Sequence, residues 1–165
     1  KSIIRVREGI IVAEHRNGYI MANAGIDRSN IELEESNQSV LLLPEDANKS
    51  AKALREKLGT VSGISPAIII NDSVGRAWRN GTTGMALGVS GFDPLWDQVG
   101  EKDLFGNVLE VTQPAIADEL ASGASFVMGQ ASQGQPIIHI SGCDLRESDS
   151  DGSSLLRPKI EDLFR

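Results

Sequence analysis

Short apolar runs broken by polar, glycine-bearing stretches dominate the first quarter of the chain. Residues 10–13 and 19–22 are apolar and flank His15-Arg16-Asn17-Gly18. Asn-Gly is a dipeptide that readily takes the positive φ angles of a tight turn, so the pattern predicts a β-hairpin. A polar connection over 30–38 leads to a further apolar run at 40–43, which Pro44 ends by removing a backbone donor. The period then lengthens. Ala47, Ala51, Leu54 and Leu58 recur three or four residues apart between lysines and an arginine, with Gly59 behind them. That spacing predicts an amphipathic helix over 45–58 that stops at Gly59.

Pro66-Ala67-Ile68-Ile69-Ile70 is apolar throughout, which suits a strand in the middle of a covered sheet. Its C-terminal end delivers Asn71-Asp72-Ser73. Residues 74–106 are rich in glycine and carry both tryptophans, Trp78 and Trp96, and read as packed irregular structure. A second helix is expected to begin around Pro114 and continue through Ile116 and Leu120 to Ala124. A strand is expected over 137–140. Serine and aspartate fill residues 146–154, the composition of a surface loop. No internal repeat is present, and strands mixed with helices imply an α+β fold of mixed sheets and packed helices.

A chain of 165 residues, 40% of them hydrophobic, is enough for one core and reads as a single domain. The formal charge of -7 repels phosphate backbones and argues against nucleic acid as a partner. An anionic small molecule would bind only where a metal ion or clustered arginines reverse the local sign. Cys143 is the one cysteine, which excludes an intrachain disulfide and fits a reducing cytoplasm. No apolar run approaches the ~20 residues needed to span a bilayer, so no membrane partner is expected. Charges at Lys1, Arg5 and Arg7 break up the opening residues, unlike a signal peptide. The chain opens without methionine, as does a sequence that begins inside a longer protein.

Three segments carry candidate chemistry. In the first, Ala22-Asn23-Ala24-Gly25-Ile26-Asp27-Arg28-Ser29-Asn30, a strand runs into small residues and then presents a carboxylate. Asp27 offers hard oxygen to Mg²⁺ or Mn²⁺; it also suits a turn or helix cap. In the second, Asp72 follows an apolar strand, and Arg76 and Arg79 add guanidinium forks that match phosphate or carboxylate oxygens. The competing reading makes both arginines structural ion-pair partners and Trp78 core filling. The third, Met128-Gly129-Gln130-Ala131-Ser132-Gln133-Gly134-Gln135, is a small-residue loop that could hold a nucleotide but has neither the lysine nor the spacing of a P-loop. It serves equally as an ordinary connection. His15 and His139 stand beside no nucleophile and receive no role, and Cys143 reads as an inert thiol.

Taken in order, these segments, with Leu42-Leu43-Pro44-Glu45-Asp46, residues 106–119, Arg157-Pro158 and Asp162-Leu163-Phe164-Arg165, resemble the coenzyme F-420-0:L-glutamate ligase, or gamma-glutamyl ligase, family. The resemblance implies a cytoplasmic, intertwined homodimer. It implies an enzyme that adds L-glutamate through its amine to the carboxylate of F-420-0 by way of an acyl phosphate, with GTP as co-substrate and Mg²⁺ or Mn²⁺ as cofactor. K⁺ is a further candidate ion. It places Asp27, Asp72, Ser73 and Gln130 at metal positions, and Asn30 with Met128, Gly129, Gln130, Ala131, Ser132, Gln133, Gly134 and Gln135 at nucleotide positions. Arg76 and Arg79 are substrate-binding candidates on charge and position alone. Two departures stand out: Gly84 occupies a place where relatives usually carry an acid, and the family's N-terminal segment, with part of the GTP site, is lacking. A binding or dimerisation fragment without turnover, and a related amide ligase with another carboxylate acceptor, therefore remain open beside the ligase.

Overall fold

The computed structural model describes residues 2–31 and 39–164; most of the polar connection expected over 30–38, and Arg165, lie outside the described residues. The predicted hairpin is present. Strand β2 (Ile10–Glu14) pairs antiparallel with β3 (Ile20–Ala22), Ala13 opposite Met21. The turn closes through the His15 amide on the Tyr19 carbonyl at 2.7 Å and through Gly18 at φ +95°. A strand not anticipated from the sequence, β1 (Ile3–Arg7), joins the outer edge of β2 to make a three-stranded sheet. Its basic residues are of the kind that discourage further pairing at an exposed edge. The apolar run at 40–43 makes only a single bridge, Leu41 to Asp27.

Helix α1 (Ala47–Ser62) starts as the spacing predicts, with the Asp46 carboxylate accepting from the Lys49 amide at 3.0 Å. It does not stop at Gly59. A single internal glycine costs about 1 kcal/mol, too little to end a helix. The terminator is Gly63, at φ 72°, whose amide returns to the Gly59 carbonyl. The second predicted helix is α2 (Ile116–Met128), ending four residues beyond Ala124.

The larger correction concerns residues 66–106. Strand β4 (Ile68–Arg76) continues through Asn71, Asp72 and Ser73, and glycine-rich β5 (Arg79–Ser90) pairs with it antiparallel. The triple isoleucine therefore belongs to a two-stranded ribbon, not to the middle of a larger sheet. Its apolarity reflects cover on both faces all the same. Ile70 packs with Tyr19, Met21, Val74 and Leu87, whereas Ile69 packs with Val89, Phe92, Ala117 and Ala121.

The glycines of β5 mark helix contacts. A Cβ at Gly84 would lie 2.2 Å from the Ala121 carbonyl oxygen of α2, and one at Gly88 would lie 2.2 Å from that of Ala47 in α1. Side chains then reach backbone groups along the strand. Ser122 donates to the Gly84 carbonyl, Asp118 accepts from the Ala86 amide, Tyr19 donates to the Leu87 carbonyl, and Asn48 accepts from both Val89 and Gly152. Polar backbone in a covered position is thereby satisfied without a third strand.

Residues 137–140 form no strand, and Ile137 is 85% exposed; apolar content alone supplies no pairing edge. The serine-rich stretch is a loop as expected, anchored where Asp151 caps a 3-10 turn, Gly152–Leu155. Among the described residues no helix is long and apolar enough to cross a membrane. The accessible surface is 12056 Å², whereas a compact monomer of this mass exposes roughly 8,000 Å². Trp78, Leu104, Phe105 and Phe126 are among the large apolar side chains left outside.

The contact at Gly84 yields the first test. Gly84→Ala should lower stability by about 3 kcal/mol, the upper range for overpacking a closed contact. Urea unfolding checks this, and a midpoint equal to that of the unsubstituted chain would refute the close approach of α2.

Candidate active site

The segment that carries Asp27 leaves β3 through backbone that L-residues seldom adopt. Asn23, Ala24 and Asn30 all have positive φ near 52°, and left-handed backbone costs each non-glycine residue roughly 1 kcal/mol or more. What holds it is visible. The Asn23 side chain accepts from the Ile11 amide at 3.2 Å, and Gly25 is wedged against Leu43 and Met21, where any Cβ would fall within 3 Å of both. Gly25 thus permits core packing instead of the ligand approach that small residues suggest. Two backbone hydrogen bonds with Leu41 then fix Asp27 itself.

The Asp27 carboxylate opens a turn. One oxygen accepts from the Arg28 and Ser29 amides at 2.7 and 2.9 Å, the other from the Ser29 hydroxyl at 2.6 Å. These bonds, the Ser29 hydroxyl foremost, hold its pKa below the ordinary carboxylate value. Asp27 is therefore a turn residue, as the simpler reading has it, and a firmly ionised one. Asn30 lies in the same turn.

Asp72 has the opposite character. It is half-buried on β4, with one oxygen accepting from the Ser73 amide at 2.7 Å. Burial pushes its pKa up, and the negative charge of Asp27 pushes in the same direction. That second cause means the two carboxylates, 45 positions apart in sequence, lie within electrostatic reach of each other. Strand alternation explains the geometry: Ile70, Asp72 and Val74 share the face that meets β3.

Alternation also separates Asp72 from Ser73. Asn71, two residues before Ser73, donates from its side chain to the Ala121 carbonyl, so Asn71 and Ser73 share the face toward α2. Gly84, opposite Ser73 in the ladder, directs its missing side chain there too. A glycine at this position thus reflects helix packing and leaves the Asp27–Asp72 face intact. Gln130 lies past the end of α2, and its side chain joins Thr82 of β5 and Ser125 of α2. Of the four residues placed at metal positions, Asp27 and Asp72 lie within electrostatic reach of each other, while Ser73 and Gln130 lie on the side of α2.

Arg76 and Arg79 face each other across the tip of the ribbon, with Trp78 between them at φ 62°. The tip is about 13 Å along β4 from Asp72 at 3.3 Å per residue. Neither arginine forms an ion pair among the described residues; Arg76 donates to the Asn80 carbonyl at 3.4 Å. Trp78 is 88% exposed and touches Phe164, so it does not fill the core.

Two residues that sequence reading passed over, Thr82 and Ser125, hold Gln130 in place; nothing in their local sequence distinguishes them from ordinary strand and helix positions. Chemically, a strongly ionised carboxylate beside a half-buried one is a donor pair that a hard divalent cation would relieve of mutual repulsion. Magnesium commonly takes one or two carboxylates and completes its shell with phosphate and water. Among the described residues no set of three or more His, Cys, Asp or Glu is arranged to hold a metal.

Comparison with known proteins shows the family. A model of the F420-0:gamma-glutamyl ligase family matches residues 1–142. The chain belongs to that family. A coenzyme F420:L-glutamate ligase of Methanocaldococcus jannaschii is 44% identical over 165 residues, covering 100% of this chain and 64% of that protein. One from Methanothermobacter thermautotrophicus is 46% identical, with 99% and 64% covered, and one from Methanosarcina mazei is 42% identical, with 90% and 57% covered. The chain thus spans less than two thirds of the length of these relatives.

The electrostatics predict a pH effect with a definite sign. Because folding raises the Asp72 pKa, its ionised form is disfavoured in the native state. Stability is lost as pH rises from the ordinary aspartate value through the raised one. Asp72→Asn, which keeps an acceptor for the Ser73 amide, should therefore melt higher than the unsubstituted chain at neutral pH without metal, and the gap should close on acidification. Thermal scans across the carboxylate range check this.

Proposed function

We propose that this chain is the part of a GTP-dependent ligase that joins L-glutamate, through its amine, to the carboxylate of F420-0. The observation that carries the reading is the family match over residues 1–142, and the electrostatic influence of Asp27 on Asp72 supports its metal-binding part. The names of the relatives supply the substrates. A carboxylate, a triphosphate and glutamate are all anions, and an acidic protein must offset their charge. Asp27 and Asp72 would hold the Mg²⁺ or Mn²⁺ ion, which, when bound, supplies the positive charge that phosphoryl transfer requires.

The chemistry proceeds in two displacements. An oxygen of the F420-0 carboxylate attacks the γ-phosphorus of GTP, the bond to the bridging oxygen breaks, and GDP leaves. The glutamate amine attacks the carbonyl carbon of the acyl phosphate, and phosphate departs with the bonding pair. The amine proton passes to solvent, leaving an amide. Asp27, fixed by its turn and held ionised by its hydrogen bonds, would orient the ion, and Asp72, whose charge burial disfavours, would be relieved by the ion's positive charge. Asn30 and the loop 128–135 receive the nucleotide, and Arg76 and Arg79 at the ribbon tip receive an outlying carboxylate or phosphate. Ser73 and Gln130, on the side of α2, would be available to a second ion, for which K⁺ is a candidate. The enzyme works in the cytoplasm as a homodimer, a state that the excess surface and the exposed Trp78, Leu104 and Phe126 favour.

The placement of Ser73 and Gln130 away from the carboxylate pair favours a second reading, a module that binds substrates and partner without turnover. Phosphate release from GTP that requires both glutamate and F420-0 separates the two. Under the ligase reading, Asp27→Asn and Asp72→Asn each lower kcat/KM by about 100-fold or more, the several kcal/mol that a misplaced metal forfeits. They also abolish the rise in Tm that Mg²⁺ or Mn²⁺ gives the unsubstituted chain. Release independent of glutamate, or full activity in both variants, would overturn it. Sedimentation at twice the chain mass is the expected outcome for the dimer.

A further inference from the structure

At the end of α2, Ser125 does two things at once. Its backbone carbonyl accepts from the Gly129 amide at 3.1 Å, and its side-chain oxygen accepts from Gln130 Nε2 at 3.1 Å. Gln130 Oε1 in turn accepts from the Thr82 hydroxyl on β5 at 2.8 Å. Ser125 is only 6% exposed, the one buried polar residue among those described, and it adjoins Gly84, where a Cβ would fall 2.8 Å from its own. The amide of Gln130 is therefore tied at both ends, to a buried helix position and to the ribbon that carries Asp72. Gln133 secures the next turn: its side chain lies over Gly129 (φ 74°), and its oxygen accepts from the Ala131 amide at 2.8 Å.

We propose that Thr82 and Ser125 are positioning residues that lock the orientation of Gln130 and so set the loop 128–135 for a nucleoside triphosphate with its divalent cation. This rests on the reading of that loop given above as the nucleotide site. An amide oxygen has two lone pairs. The Thr82 hydroxyl occupies one and leaves the other, already aimed, for a cation or a ligand donor. Without the two hydroxyls the side chain would rotate freely, and binding would have to order it. The first residues of the loop are pre-set by this network, and Ser132 to Gln135 are exposed.

The test compares Thr82→Val, which removes the hydroxyl at nearly constant shape, with Thr82→Ser, which keeps it, and with Ser125→Ala. Thr82 is exposed, so folding of its variants is not at issue, and Tm is followed in all three. Two quantities are read on the whole chain: amide exchange of residues 129–131, and the dissociation constant for Mg²⁺–GTP. Thr82→Val and Ser125→Ala should speed exchange and weaken GTP binding by roughly 5- to 10-fold, the scale of one hydrogen bond, with Thr82→Ser close to the unsubstituted chain. Unchanged exchange and affinity would overturn the proposal, and so would a lowered Tm with unaltered affinity. Failure of the unsubstituted chain to bind GTP would overturn the nucleotide reading and this proposal with it, whereas GTP binding indifferent to both hydroxyls would overturn only the latch.

Discussion

Close backbone contact between two helices and one strand organises this structure. Where α2 crosses Gly84 and α1 reaches Gly88, the helix carbonyls stand at distances that leave no room for a Cβ. That proximity allows short side chains to reach the strand: Ser122, Asp118 and Asn48 satisfy Gly84, Ala86 and Val89 directly. A two-stranded ribbon alone would be marginal in water. Covered on both faces and tied along its length, β4–β5 becomes a rigid support for Asp72 on one side and for the Thr82–Gln130–Ser125 chain on the other.

Much of the fold was legible where period and turn chemistry agree. Asn17-Gly18 and its flanking runs specify the hairpin, and the spacing of Ala47, Ala51, Leu54 and Leu58 specifies α1. Other features left no pattern of that kind. Gly59 and Gly63 are the same residue type four positions apart, and only the local backbone decides which one ends the helix. The glycines of β5 resemble irregular structure because their cause lies elsewhere in the chain, in the helices that press against them. Residues 137–140 show the reverse error, with apolar composition but no edge to pair with. Asp27 and Asp72 were recognisable as carboxylates in suggestive settings, yet their proximity depends on strand parity and on the path after β3. A resemblance could point to both; spacing could not.

The two aspartates divide their work by environment. Asp27 owes its lowered pKa to hydrogen bonds from Ser29 and Arg28, and those bonds exist because the chain is held left-handed on either side. Backbone strain at Asn23, Ala24 and Asn30 is offset by the Asn23–Ile11 bond and by the Met21–Gly25–Leu43 packing. Asp72 owes its raised pKa to burial and to Asp27. One group thus carries a charge that its hydrogen bonds favour, and the other a charge that its surroundings disfavour.

Under the proposed function, that asymmetry bears on how an acidic protein would meet anionic substrates. Were both carboxylates fully exposed and ionised, they would add to the surface field that repels a triphosphate. Were both buried and neutral, they would offer a cation little. Here hydrogen bonds hold one firmly ionised, and burial makes the ionised form of the other less favourable. The same ribbon that buries this carboxylate also holds Thr82, so the charge of the site and the setting of the 128–135 loop depend on a single element, and displacement of α2 from Gly84 would disturb both together.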